Sequence, residues 1–138
     1  MVAVIAVSVW KMAGYYMIMI LAGLQSIPRH LYEAADIDGA NAWKKFWNVT
    51  WPMLSPTMFM VTILCMIQSF QVFDLVYIMT EGGPGRATNV LVYRIYQEGF
   101  TYLKYGYASA LAYVLFLIIF VITLIQFRGQ KKWVTYMQ

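Results

Sequence analysis

The chain has 138 residues, of which 62% are hydrophobic and only 12% charged (ten basic, six acidic), with a mean hydropathy of +0.62, against about 25% charged in soluble domains. That balance excludes a water-soluble globular fold. One cysteine (Cys65) and one histidine (His30) exclude a disulfide framework, a zinc site and histidine-based catalysis within the chain.

Uncharged runs at 12–28, 46–73 and 105–127 lead to three spanning helices, since about 20 apolar residues cross a hydrocarbon core. The first is expected over 2–27. It must hold Lys11, and nothing else breaks it. A cleavable signal peptide would end at a small-residue site, whereas "VAVIAVSVW" runs on through Lys11 into "MAGYYMIMILAGL". Ser8, Lys11 and Tyr15 fall at i, i+3, i+7, a narrow polar stripe on an apolar helix.

The segment 28–52 is a part-charged island, with five of the chain's charges in 31–52. Pro28 suits a helix start, "PRHLYEAADID" sets Leu31, Ala34 and Ala35 on one side, and Gly39 ends the helix in a left-handed turn. Asn41 is an N-cap for a second helix with an aromatic stripe at Trp43, Phe46 and Trp47, running to Thr50 and closed by Pro52. Tryptophan and lysine make that second helix a membrane-surface anchor. The first suits lipid poorly, because Glu33, Asp36 and Asp38 repel an anionic leaflet; its alanines and carboxylates fit a groove in another protein.

The second span is expected over 53–79, with Thr62, Cys65, Gln68, Ser69 and Gln71 in its middle and far half. At 1.5 Å per residue, Lys11 lies roughly 24 Å and Asp74 roughly 30 Å from the island side, so the two could face one another. Residues 80–104 form a turn-rich loop, "TEGGPGRATN", and a short helix starting near Asn89 and ending near Gly99. The third span covers 105–127, and Gly106, Ser109 and Ala110 give it a small-residue face for helix packing. Arg128, Lys131 and Lys132 follow it and, with Arg29, Lys44 and Lys45, lead the positive-inside rule to the C-terminus and the island in the cytoplasm and 80–104 outside. Arg86, Arg94 and Lys104 in 80–104 keep charge alone from settling the orientation.

"EAADIDGANAWKKFWNVTWP" resembles the EAA motif of ABC importer permeases: EAA, three residues, Gly, nine residues, a branched apolar residue, one residue, Leu-Pro. Glu33, Ala34, Ala35, Gly39 and Pro52 match at that spacing, with Val49 and Trp51 as apolar departures. "LAGLQSIPRHLYEAA", "SFQVFDLVYIMTEGGPG" and "YGYASALAYVLFLIIFVITLIQFR" are similar to the C-terminal half of carbohydrate permeases of the maltose and glycerol-phosphate type. The resemblance implies an all-α membrane protein with three transmembrane helices and a cytoplasmic helix-turn-helix coupling loop (28–52), forming the C-terminal part of a longer permease.

It also implies that Glu33, Ala34, Ala35, Asp36, Asp38 and Gly39 contact an ATPase subunit. Ser8, Lys11, Met12 and Tyr15 would face Ser69 and Gln71 along a solute path. The chain has no "GxxxxGK[ST]" motif, so it is not expected to be an enzyme or to bind a cofactor, and ATP-Mg falls to an ABC ATPase dimer. A second permease subunit, an extracellular solute-binding protein and membrane lipid are the other implied partners, without nucleic acid, at a bacterial or archaeal inner membrane. Importers of amino acids, phosphonates or glycerol phosphate share the loop, and a membrane adaptor that merely recruits a partner is the remaining alternative. Paired titratable groups beyond Lys11 and Asp74 are missing from the spans, which argues against a membrane enzyme.

Overall fold

A computed structural model describes residues 1–130, so Lys131 and Lys132 of the basic tail lie outside the described residues. Every regular element among the described residues is helical. Three stretches are long and apolar enough to cross a membrane: Val2–Gln25, Ala42–Met79 and Tyr105–Gln130. The chain is an all-α, three-span membrane protein.

The first span is one helix, α1 (Val2–Gln25). Lys11 does not interrupt it, since a lysine has good helix propensity and only its head group resists lipid. Gly23 lets α1 and the second span approach closely: a Cβ there would stand 2.6 Å from Thr57 Oγ1 and 2.8 Å from its methyl. A short helix, α2 (Arg29–Ile37), follows, with Pro28 as its N-cap.

The second span departs from the sequence expectation at both ends. Helix α3 (Ala42–Lys45) runs through a π turn (Phe46–Thr50) straight into α4 (Trp51–Phe70). Pro52 was expected to close one helix and open another; instead it sits in the first turn of α4, within a continuous rod. Proline ends a helix by withholding an N–H and crowding the carbonyl four residues back, and the wider π turn relieves that crowding. Four residues on, Pro56 also leaves a carbonyl without its helical donor, and the Ser55 hydroxyl donates to that Pro52 carbonyl at 2.6 Å.

At the other end the helix expected through residue 79 stops at Phe70. It resumes as α5 (Asp74–Met79) after a break at 71–73.

The loop after α5 is braced internally. Gly82 and Gly85 take positive φ (84° and 64°). Thr88 is fully buried and donates to the Gly83 carbonyl at 2.9 Å, while Tyr93 Oη donates to the Glu81 carbonyl at 3.0 Å. Helix α6 (Leu91–Tyr96) has Val90 rather than Asn89 as its N-cap, and Asn89 Oδ1 makes no hydrogen bond among the described residues. Gly99 does not end it: the helix passes through Gly99 in a second π turn (Gln97–Thr101) and stops before Leu103, whose φ is +55°. Gly99 instead receives α7 (Tyr105–Gln130), where Ala108 would stand 3.4 Å from an added Cβ. Gly106, Ser109 and Ala110, expected as a packing face, are exposed, and an added Cβ at Gly106 would meet nothing within 4 Å among the described residues.

Packing is thin, as suits spans that face lipid or further helices. A small core of Val4, Val76 and Tyr93 ties α1, α5 and α6 at the loop end. At the hairpin end, Phe59 of α4 meets Phe127 of α7 edge to face at 5.6 Å. These contacts leave two features positioned by the fold: the α2–α3 hairpin and a cavity between α1 and the broken second span.

Candidate functional site

The hairpin turn is a Schellman motif. Ala40 N–H donates to the Ala35 carbonyl at 2.9 Å and Gly39 N–H to Asp36 at 3.0 Å, with Gly39 at φ +71°. An added Cβ at Gly39 would meet nothing within 4 Å, so only backbone conformation demands glycine there. Asn41 then caps α3, its Oδ1 accepting from Lys44 N–H at 2.9 Å.

Two side-chain links fix α2 against the rod. Tyr32 Oη and Thr50 Oγ1 lie 3.0 Å apart, and Lys45 is ion-paired with Asp36. Leu31, Tyr32 and Ala35 are half-buried on that side, whereas Glu33, Ala34, Asp36, Asp38 and Gly39 are exposed. Ala34, three residues on from Leu31, therefore lies at the exposed edge of that face, next to Ile37 at its own i+3 position. Sequence reasoning passed over Ile37, which is 88% exposed at the hairpin tip. Its signal was a β-branched apolar residue between two aspartates at a helix end.

Aromatic rings coat the start of the rod: Trp43, Phe46, Trp47 and Trp51 form a chain of contacts with centroids 5.3–6.4 Å apart. Trp51 joins because the π turn rotates it under Phe46. Thr50 leaves this stripe to meet Tyr32.

The cavity measures about 390 Å³ between α1 and the region where α4 gives way to α5. Ser8, Lys11, Met12, Ser69 and Gln71 all line it, but Tyr15 does not. Tyr16 takes its place, because the lining follows the i, i+4, i+8 edge Ser8, Met12, Tyr16, and Tyr15 turns outward, 56% exposed. Lys11 and Asp74 form an ion pair at this cavity. Asp74 reaches it from the first turn of α5, after the break. Ser8 Oγ donates to the Val4 carbonyl at 2.8 Å and Ser69 Oγ to Met66 at 2.7 Å, so both hydroxyls offer mainly their lone pairs to the cavity. The described residues contain no cluster of three or more metal-ligating side chains.

Residues 1–133 match the family model of the binding-protein-dependent transport system inner membrane component. The chain belongs to this family.

Among its relatives is the sn-glycerol-3-phosphate transport system permease protein UgpA of Agrobacterium fabrum, 39% identical over 99% of this chain and 47% of that protein. The sulfoquinovosyl glycerol transport system permease protein SmoG of the same organism is 44% identical over 87% of the chain and 39% of its own length. A putative ABC transporter permease protein, ORF1 of a Caldicellulosiruptor species, is 44% identical over 85% of this chain and 84% of that protein. The chain spans about half the length of the UgpA relatives it matches. A transport-permease family, not an enzyme family, thus owns the helices that carry both the hairpin and the cavity.

Proposed function

We propose that this chain is membrane-spanning permease machinery of an ATP-driven importer for a sugar or polyol, in which the α2–α3 hairpin is the coupling element. The observation that carries the reading is the hairpin's construction. One face of α2 is fixed to a continuous rod that runs into the second span, while Glu33, Ala34 and Ile37 face outward at i, i+1, i+4.

Such a lever suits contact with an ABC ATPase dimer. Among the described residues no ion pair engages Glu33, so its carboxylate is available to a guanidinium. Ala34 permits close approach, and Ile37 offers an apolar anchor. The partner binds ATP-Mg, and its closure moves the groove that holds the hairpin. The Schellman turn and the Tyr32–Thr50 contact keep the hairpin from flexing, so displacement reaches α4 and, through it, the cavity. A ligand-driven motion is transmitted only by parts that move as one body.

The cavity is the solute path in this reading, with Ser8, Met12, Tyr16, Ser69 and Gln71 presenting hydroxyl, amide and ring surfaces suited to a polyol. Relatives named for glycerol phosphate and sulfoquinovosyl glycerol support a polyol class. A solute-binding protein delivers cargo at the 80–104 side, a second permease subunit completes the path, and the trio Arg29, Lys44 and Arg128 supports a cytoplasmic hairpin and C-terminus.

Reconstitution tests this directly. The full permease pair with its ATPase and binding protein in proteoliposomes should accumulate sugar only with ATP, and accumulation that proceeds equally without the ATPase would refute the importer reading.

A further inference from the structure

Lys11 and Asp74, the charged side chains that line the cavity, are paired with each other. Their charges cancel. Both remain reachable, with side chains 49% and 54% exposed. The break at 71–73 creates the pairing, because it starts a new helix at Asp74 against α1. Of the uncharged polar lining, Ser8 and Ser69 have already spent their protons on carbonyls of their own helices, while Tyr16, Gln68 and Gln71 carry groups that both donate and accept.

We infer that Asp74 sets the charge selectivity of this cavity: by neutralising Lys11 it makes the site accept uncharged polyhydroxylated solutes and reject phosphate and sulfonate esters. This deepens the proposed function and rests on the cavity being its solute path. An anion needs net positive charge, and the cavity supplies a compensated lysine beside neutral amides and serine lone pairs. A neutral polyol brings its own O–H donors to those lone pairs. Removing the carboxylate frees Lys11 as an anion site. One unit charge at about 4 Å alters an ion's occupancy at least about fivefold even at the dielectric of water, and more where protein and lipid weaken screening.

The test is equilibrium binding of radiolabelled glycerol 3-phosphate, and separately of a labelled neutral glycoside, to the full-length permease complex in lipid nanodiscs without binding protein. Asp74→Asn should bind glycerol 3-phosphate at least about fivefold more tightly than wild type. Asp74→Glu should keep the wild-type weakness, and Lys11→Met added to Asp74→Asn should cancel the gain. Equal affinity in wild type and Asp74→Asn, or a gain that survives Lys11→Met, overturns the inference. Should Asp74→Asn fail to insert, Asp74→Ser replaces it; wild type alone also decides against the inference if it binds glycerol 3-phosphate as tightly as the neutral glycoside. Failure of the importer reading is separately visible, as loss of ATP-driven uptake of any solute, whereas this ratio between variants is read without ATP.

Discussion

Gly39 and Gly23 are glycines for different reasons, and the difference makes distinct predictions. At Gly39 there is ample space for a side chain, and the demand is the positive φ; a residue with a Cβ pays about 1–2 kcal/mol there, and a β-branched one more. Gly39→Val should insert normally yet lose ATP-driven uptake, whereas Gly39→Asn, which tolerates that conformation, should retain most of it. Normal uptake by the valine variant at normal membrane levels would contradict the rigid-turn account. At Gly23 the backbone is ordinary and the constraint is Thr57, 2.6 Å from an added Cβ. Gly23→Val should lower thermal stability in detergent by about 1–3 kcal/mol through overpacking. Thr57→Ala in the same chain should recover much of that loss, and no recovery would show that the contact is not the cause.

Elements show where sequence reasoning reaches and where it stops. The α2 helix, the left-handed Gly39 and the Asn41 cap are written in local chemistry, and each stands where its residue type requires. The π turn at 46–50 is not, because local rules read Pro52 as a stop, and only the continuous rod reveals that a widened turn accommodates it. The break at 71–73 is similarly hidden, in a stretch that has no glycine or proline after Pro56. It nevertheless delivers Asp74 to Lys11, a pairing that depth counting had made possible without deciding. Tyr15 gave way to Tyr16 because the direction from which α4 approaches α1 is a tertiary fact. Between elements, the Tyr32–Thr50 contact should contribute about 1 kcal/mol to holding the hairpin. Tyr32→Phe should lower solute uptake per ATP hydrolysed without reducing expression. Its effect should be non-additive with Thr50→Val, since both remove one interaction; additive losses would mean that the two side chains act separately.

At the scale of the molecule, three thinly packed spans place a charged hairpin at one end and a braced, glycine-rich loop at the other. The positive-inside reading assigns these ends to opposite sides. With Cys65 replaced by serine, Arg86→Cys should react with a membrane-impermeant maleimide on intact cells, and Asp38→Cys only after permeabilisation. Labelling of both from outside would invert or dismantle the topology. The central claim, that the hairpin is a lever held by an ATPase, is tested most directly at its exposed tip. A photo-crosslinker on Ile37→Cys in the Cys65→Ser background, activated in membranes holding the whole transporter, should capture the ATPase subunit with a yield that changes when ATP is added. Capture of lipid alone, or an ATPase yield no higher than from Trp43→Cys on the aromatic side, would contradict it.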